Sequence, residues 1–166
     1  LGDVYKRQLQ GAETPFMKEV LKGIQEACAE VDNLGGTVLV HKIEHQNAED
    51  VILAMEKMRM EEVSGIAMVP LDEERVKREI DRFVEEFRIP VVTFTSDVED
   101  TKRLCFVGQN GVQCGRAAAG LMGELTGGKG KVAVISGYST NTSLSSRVVG
   151  FREEIARKYP GIEIIG

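Results

Sequence analysis

Four short runs gather the side chains best suited to polar chemistry: Thr14-Pro15-Phe16, Thr95-Ser96-Asp97, Gln109-Asn110 and residues 138–147, which end on Arg147. Together they offer an aromatic ring, hydroxyls, amides, carboxylates and one guanidinium, an inventory that can stack on and hydrogen-bond a small polar molecule. They contain no nucleophile paired with a base and no acid–base couple. The expectation is a sensor or carrier that holds a ligand without transforming it, not an enzyme. Each residue also has a plainer role. Phe16 either opens the core face of a helix or stacks on the apolar face of a sugar. Asp97 and Asp100 either make turns or, with Thr95 and Ser96, present acceptors to ligand hydroxyls. Arg147 either sits in solvent or bridges two neighbouring oxygens of a polyol or carboxylate.

Other suggestive patterns fail on context. His41 and His45 have the i, i+4 spacing of a helical zinc pair, but they fall at a strand end and in the following loop without a third ligand nearby. They read as surface histidines, and no metal is expected. Residues 126–131, TGGKGK, precede a strand instead of joining a strand to a helix, and Val132 stands where a phosphate loop needs Ser or Thr. A helix cap and turn explain them better. The hydroxyl-rich residues 138–146 lack a nucleophile elbow, and no histidine follows them in this sequence, which argues against a serine hydrolase. Neither a catalytic residue nor a cofactor is expected.

The elements that must position these side chains alternate regularly. Residues 15–31 read as a helix with Thr14 as N-cap, Pro15 in its first position, and an apolar stripe of Phe16, Val20, Leu21, Ile24, Ala27, Cys28 and Val31 facing a sheet. Strands follow at 36–43, 65–69, 90–94, 104–107, 132–136 and 162–165, with helices at 48–61, 72–87, 111–125 and 143–159. Such alternation implies crossovers and a parallel α/β sheet covered on both faces. In an open sheet of this kind the segments after the strands share the edge where ligands bind, and the four runs are those segments.

The 166 residues are 42% hydrophobic and 28% charged, enough for a core, and the net charge of −5 with pI near 5.2 offers no basic field for a phosphate backbone. Cys28, Cys105 and Cys114 lack metal or redox spacing and sit in apolar or helical contexts, where a buried thiol is the default; this favours a reducing compartment. No apolar run reaches membrane-spanning length, and no basic-then-apolar signal opens the chain. A first strand is expected just before Gln10-Gly11-Ala12, yet residues 1–8, LGDVYKRQ, make a poor one and read as non-native sequence. The last strand has no closing helix, so both ends read as truncated.

Several runs in order carry a family resemblance: TPFMKEVLKGI from Thr14, GIAMVPLD from Gly65, IPVVT from Ile89, FVGQN from Phe106 with Gly115-Arg116, and RVVGFR from Arg147. The chain resembles the periplasmic-binding-protein superfamily, most of all the effector domain of LacI/GalR-type transcriptional regulators, and is similar to sugar-binding proteins of ABC importers. This implies a type I fold of two Rossmann-like lobes: residues 1–108 as the first, and 109–166 as the start of an incomplete second. It implies a monosaccharide or polyol ligand stacked on Phe16 and hydrogen-bonded by Thr14, Thr95, Ser96, Asp97, Asn110 and Asn141, with Arg147 clamping its hydroxyls. Gln109 stands where the family usually has an acid, and Thr14 where it usually has Asn. For a regulator the resemblance implies a cytoplasmic homodimer whose lobe closure is coupled to DNA affinity through a headpiece that this chain lacks. For an importer component it implies a periplasmic or cell-surface protein, the one case in which membrane contact is expected.

Overall fold

The structure, a computed structural model, describes residues 4–10, 14–43, 45, 47–137 and 139–165, the first of these runs by its backbone path only. The chain divides into two compact units, Leu1–Val107 and Gly108–Gly166.

The first unit runs β1 (Val4–Gln10), α1 (Pro15–Asn33), β2 (Thr37–Ile43), α2 (Ala48–Met60), β3 (Gly65–Met68), α3 (Glu74–Glu85), β4 (Val91–Phe94) and β5 (Cys105–Val107). Its strands form a parallel sheet in the order β2-β1-β3-β4-β5. The period-two alternation of strands sends Ile66, Met68 and Val91 to one face, where they pack with Val51, Met55 and Met58 of α2 and Val76, Ile80 and Phe83 of α3. Phe94 packs instead with Met17, Ile24, Val20, Leu21 and Cys28 of α1. Helices thus cover both faces, as a parallel sheet requires.

Local chemistry fixes the helix ends. Thr14 Oγ1 accepts from Met17 N at 3.2 Å, and Pro15 follows it with a preset φ. Asn47 caps α2 through Asp50 N at 2.8 Å, and Glu49 and Asp50 in the first turn with Lys57 and Arg59 in the last complement its dipole. The α3 helix is shorter than its sequence pattern suggests: Leu71 accepts from Glu73 N, delaying the start, and Arg88 at φ 58° turns the chain after Glu86.

Three expectations are corrected in this unit. The polar first residues do form a strand, and β1 lies inside the sheet between β2 and β3; pairing along both edges holds a segment that propensity alone disfavours. Phe16 is not part of the buried stripe: it is 63% exposed, and its neighbour Met17 takes the core position because the helix turns it toward the sheet. Cys105 is an exposed thiol, since β5 ends the sheet order; Cys28 and Cys114 are half-buried.

The second unit comprises α4 (Gly111–Thr126), β6 (Lys129–Ala133), α5 (Thr142–Lys158) and β7 (Gly161–Ile165), with β6 and β7 parallel. Its core joins Ala119, Val132, Phe151, Ile155 and Ile162. The α4 helix ends at Gly127 in the left-handed region, with Gly128 N donating to Gly123 O. That abrupt close explains a shift in β6, which lies three residues before the apolar run: the chain enters the strand at Lys129, opposite Gly161, and Lys131 meets Glu163 at 3.6 Å.

A row of small residues spaced four apart, Gly111, Gly115, Ala119 and Gly123, lets α4 lie against α5. A Cβ on Gly115 would stand 2.0 Å from the carbonyl oxygen of Arg147, and one on Gly150 of α5 would stand 2.0 Å from that of Val112. The close approach sets the backbone from which the Arg147 side chain departs. Among the described residues no helix is long and apolar enough to cross a membrane.

Candidate functional site

In the first unit the chain passes from β1 to β2 on one side and then to β3 on the other, so strand order reverses at β1. The crevice outside the carboxyl ends of strands at such a reversal is the general ligand position in open α/β sheets. Thr14 and Phe16 follow β1 at the start of α1, and Thr95, Ser96 and Asp97 follow β4 on the same edge. Residues 11–13, which complete the first of these loops, lie outside the described residues.

The 95–104 segment returns from the end of β4 to the start of β5 without a helix, and it is tied down along its length. Val98 is buried in the core with Val91 and Phe83, Lys102 N donates to Asp81 Oδ1 of α3 at 2.6 Å, and Thr95 N donates to Val107 O at 3.1 Å. At its centre the Asp97 carboxylate accepts from Arg103 Nε and Nη2, each at 2.5 Å, and from buried Thr93 Oγ1 at 2.8 Å. Thr95 sits at φ 60°, a conformation rare for a β-branched residue and costing on the order of 1–3 kcal/mol, so this bracing has a conformation to maintain. Thr95 is half-buried, while Ser96 is only 2% exposed. Arg103 and Thr93 did not stand out in the sequence, because an Asp and an Arg six residues apart in a loop carry no periodicity.

Burial pushes the Asp97 carboxyl up, but the hydrogen bonds from Arg103, Thr93 and the Val98 backbone, with the Arg103 charge, more than offset it and hold the group below the usual aspartate value of 3.8. Its ionised form therefore stabilises the fold. That contribution is fully present above the ordinary value and is lost as pH falls through the lowered one. Asp97→Asn should lower the unfolding midpoint at neutral pH and flatten its pH dependence below about pH 4, converging with the parent protein at the acid end; a pH series of thermal melts checks this.

In the second unit Asn110 and Asn141 are both N-caps. Asn110 Oδ1 accepts from Gln113 N at 3.0 Å, and Asn141 Oδ1 from Ser143 N at 3.1 Å and Ser143 Oγ at 2.8 Å. Arg147, one turn into α5 and half-buried, donates through Nη2 to Gln109 Oε1 at 2.9 Å and through Nη1 to the carbonyl of Ser143. The unit thus brings Arg147 beside Gln109-Asn110. Tyr138 lies outside the described residues. The histidines are engaged locally, His41 at 3.7 Å from Glu61 and His45 at 3.0 Å from Asp50, and among the described residues no three His, Cys, Asp or Glu side chains could hold a metal ion.

A parallel α/β sheet covered on both faces, with polar side chains and an exposed aromatic at its carboxyl edge, followed by a second parallel unit, defines an α/β chain of the type I periplasmic-binding-protein fold. The family model for the periplasmic binding protein domain matches residues 9–166, and the chain belongs to that family. Comparison with curated protein sequences gives no match. Among solved structures the chain is similar to GanP, a glucose-galactose binding protein from Geobacillus stearothermophilus, at 26% identity and a TM-score of 0.88, covering 99% of this chain and 57% of that one. It is similar to the sugar-binding protein of a sugar ABC transporter from Bacillus halodurans at 28% identity and 0.81, covering 99% and 55%. A protein assigned as a LacI transcriptional regulator from Bacteroides fragilis matches at 20% identity and 0.87, covering 99% and 59%, which speaks to fold alone. The chain spans a little over half the length of these relatives.

Proposed function

We propose that this chain is part of a monosaccharide-binding domain, its ligand held by Thr14, Phe16, Thr95, Ser96, Asn110, Asn141 and Arg147, with Asp97 bracing the loop that carries two of them. The observation that carries the proposal is Phe16: a large aromatic ring left 63% exposed in the first turn of α1, beside the strand-order reversal, where a core role is not what the helix gives it. An aromatic face suits the apolar face of a sugar ring, and the hydroxyl and amide side chains suit its hydroxyls. Family membership and the sugar-binding relatives above a quarter identity support the same ligand class.

The role we favour is the effector domain of a LacI-type regulator in the cytoplasm, acting as a homodimer, with closure on the sugar shifting DNA affinity through a separate headpiece. For that coupling the sugar must bind the open and closed states unequally. The order of motifs and three free thiols, one of them exposed, support this role. A second role, the substrate-binding component of a sugar importer, is favoured by the relatives of higher identity.

Phe16→Ala tests the ligand site. Because the ring is exposed, its removal should leave the melting temperature within about 2 °C, as surface substitutions cost no more than ~0.5 kcal/mol. Loss of stacking should weaken sugar binding by about tenfold, equal to about 1.4 kcal/mol. Calorimetric titration checks it: unchanged affinity removes Phe16 from the site.

A further inference from the structure

We infer that the ligand is an anionic monosaccharide, a uronic or aldonic acid whose carboxylate pairs with Arg147; this rests on the sugar-binding proposal above. Two ionisable side chains stand among the candidate residues, and the structure treats them differently. Asp97 is answered internally: Arg103 fills two of its acceptor positions, Thr93 a third and the Val98 N–H a fourth, which accounts for the lone pairs of a carboxylate. It brings no unbalanced negative charge to the site and has no acceptor left for a sugar hydroxyl.

Arg147 is not answered. Its two hydrogen bonds go to a side-chain amide oxygen, on Gln109, and to a main-chain carbonyl, on Ser143; both acceptors are neutral. Among the described residues no carboxylate lies within 4.0 Å of its guanidinium. Several other cations of the same unit are paired: Arg157 and Lys158 share Glu154, Arg116 meets Glu153, and Lys131 meets Glu163. A guanidinium has five N–H donors, so three remain on a half-buried cation, enough for a bidentate contact. Charge-assisted bonds to a carboxylate are about twice as strong as bonds to a neutral hydroxyl, and the planar fork matches a planar carboxylate. The other candidates of this unit, Asn110 and Asn141, are uncharged and suit sugar hydroxyls. Arg147 therefore carries a positive charge that no carboxylate of the described residues answers, and a ligand with a single carboxylate balances it.

Gln109 is the position that sets this preference, and Gln109→Glu reverses it by giving Arg147 a carboxylate of its own. The experiment is calorimetric titration of the full-length protein that contains this chain, at fixed ionic strength, with galactose and galacturonate, glucose and glucuronate, arabinose and arabinonate, and glucose 6-phosphate. One acid should bind at least tenfold tighter than its neutral parent. Gln109→Glu should weaken that acid at least tenfold and abolish the preference, with the melting temperature unchanged. Glu13, next to Thr14 in sequence and outside the described residues, is controlled by Glu13→Gln, which should leave the preference intact. A neutral sugar that binds as tightly as its acid, or a preference indifferent to Gln109→Glu, overturns the anionic-ligand inference and leaves the sugar proposal standing. Tighter binding of the phosphate than of any acid overturns the carboxylate assignment. No binding by any of these compounds overturns both.

Discussion

Gly115→Ala is expected to destabilise the second unit by about 1–3 kcal/mol, the range for forcing atoms into a packed site, whereas Gly120→Ala in the same helix should stabilise it by about 0.5–1 kcal/mol. The two substitutions are chemically identical and differ only in what the new methyl meets. At Gly115 it would stand 2.0 Å from the Arg147 carbonyl and 2.8 Å from Phe151 N, both backbone atoms that move only if α5 moves. At Gly120 nothing lies within 4 Å. There the substitution only removes unfolded-chain entropy and adds helix propensity. Denaturant melts of the two variants measure the difference, and equal shifts of one sign would mean that α4 and α5 are not in this close contact. Because the clash falls on the residue that carries the guanidinium, Gly115→Ala should also weaken ligand binding.

Arg147→Ala should weaken ligand binding by about 100-fold or more, since hydrogen bonds to a charged donor are worth on the order of 1.5–3 kcal/mol each. Its effect on stability should be small by comparison. The side chain is half-buried, and the two protein acceptors it leaves, Gln109 Oε1 and the Ser143 carbonyl, can turn to water. A large loss of affinity with a modest change in melting temperature would separate a ligand-holding arginine from a structural one. Titration of the variant alongside the parent reads both quantities.

How much of this was legible in the sequence depends on whether the signal was local. The first helix was readable because Thr14, Pro15 and the apolar spacing act within a few residues of one another, and the structure keeps cap and proline as expected. The same spacing misassigned Phe16. A seven-residue stripe cannot tell which of two adjacent apolar residues the helix turns to the sheet, and here Met17 took that place. The first strand was misjudged because propensity does not see pairing partners, and β1 has one on each side. The β6 strand was misplaced for the same reason: its limits follow its register with β7, not its own run of valine and isoleucine.

The site divides along the same line. The candidate runs could be found because strand ends mark a sheet edge, but their internal engagements could not. That Arg103 saturates Asp97, that Arg147 reaches Gln109, and that Asn110 and Asn141 spend an oxygen on helix caps are contacts between residues 2 to 38 apart in sequence. The row of small residues four apart in α4, Gly111, Gly115, Ala119 and Gly123, was not singled out in the sequence. Only the closeness of α5 gives it a reason.

The central claim is that the protein binds a monosaccharide through these side chains, and the most direct measurement is a thermal-shift screen of the full-length protein against pentoses, hexoses, polyols, sugar acids and sugar phosphates. A ligand that binds only the folded state at 100 times its Kd adds about 2.7 kcal/mol, which should raise the melting temperature by roughly 5–10 °C. The account predicts such a shift for one class of sugar, reduced by Phe16→Ala and abolished by Arg147→Ala. No shift from any compound, or one indifferent to both substitutions, would contradict it.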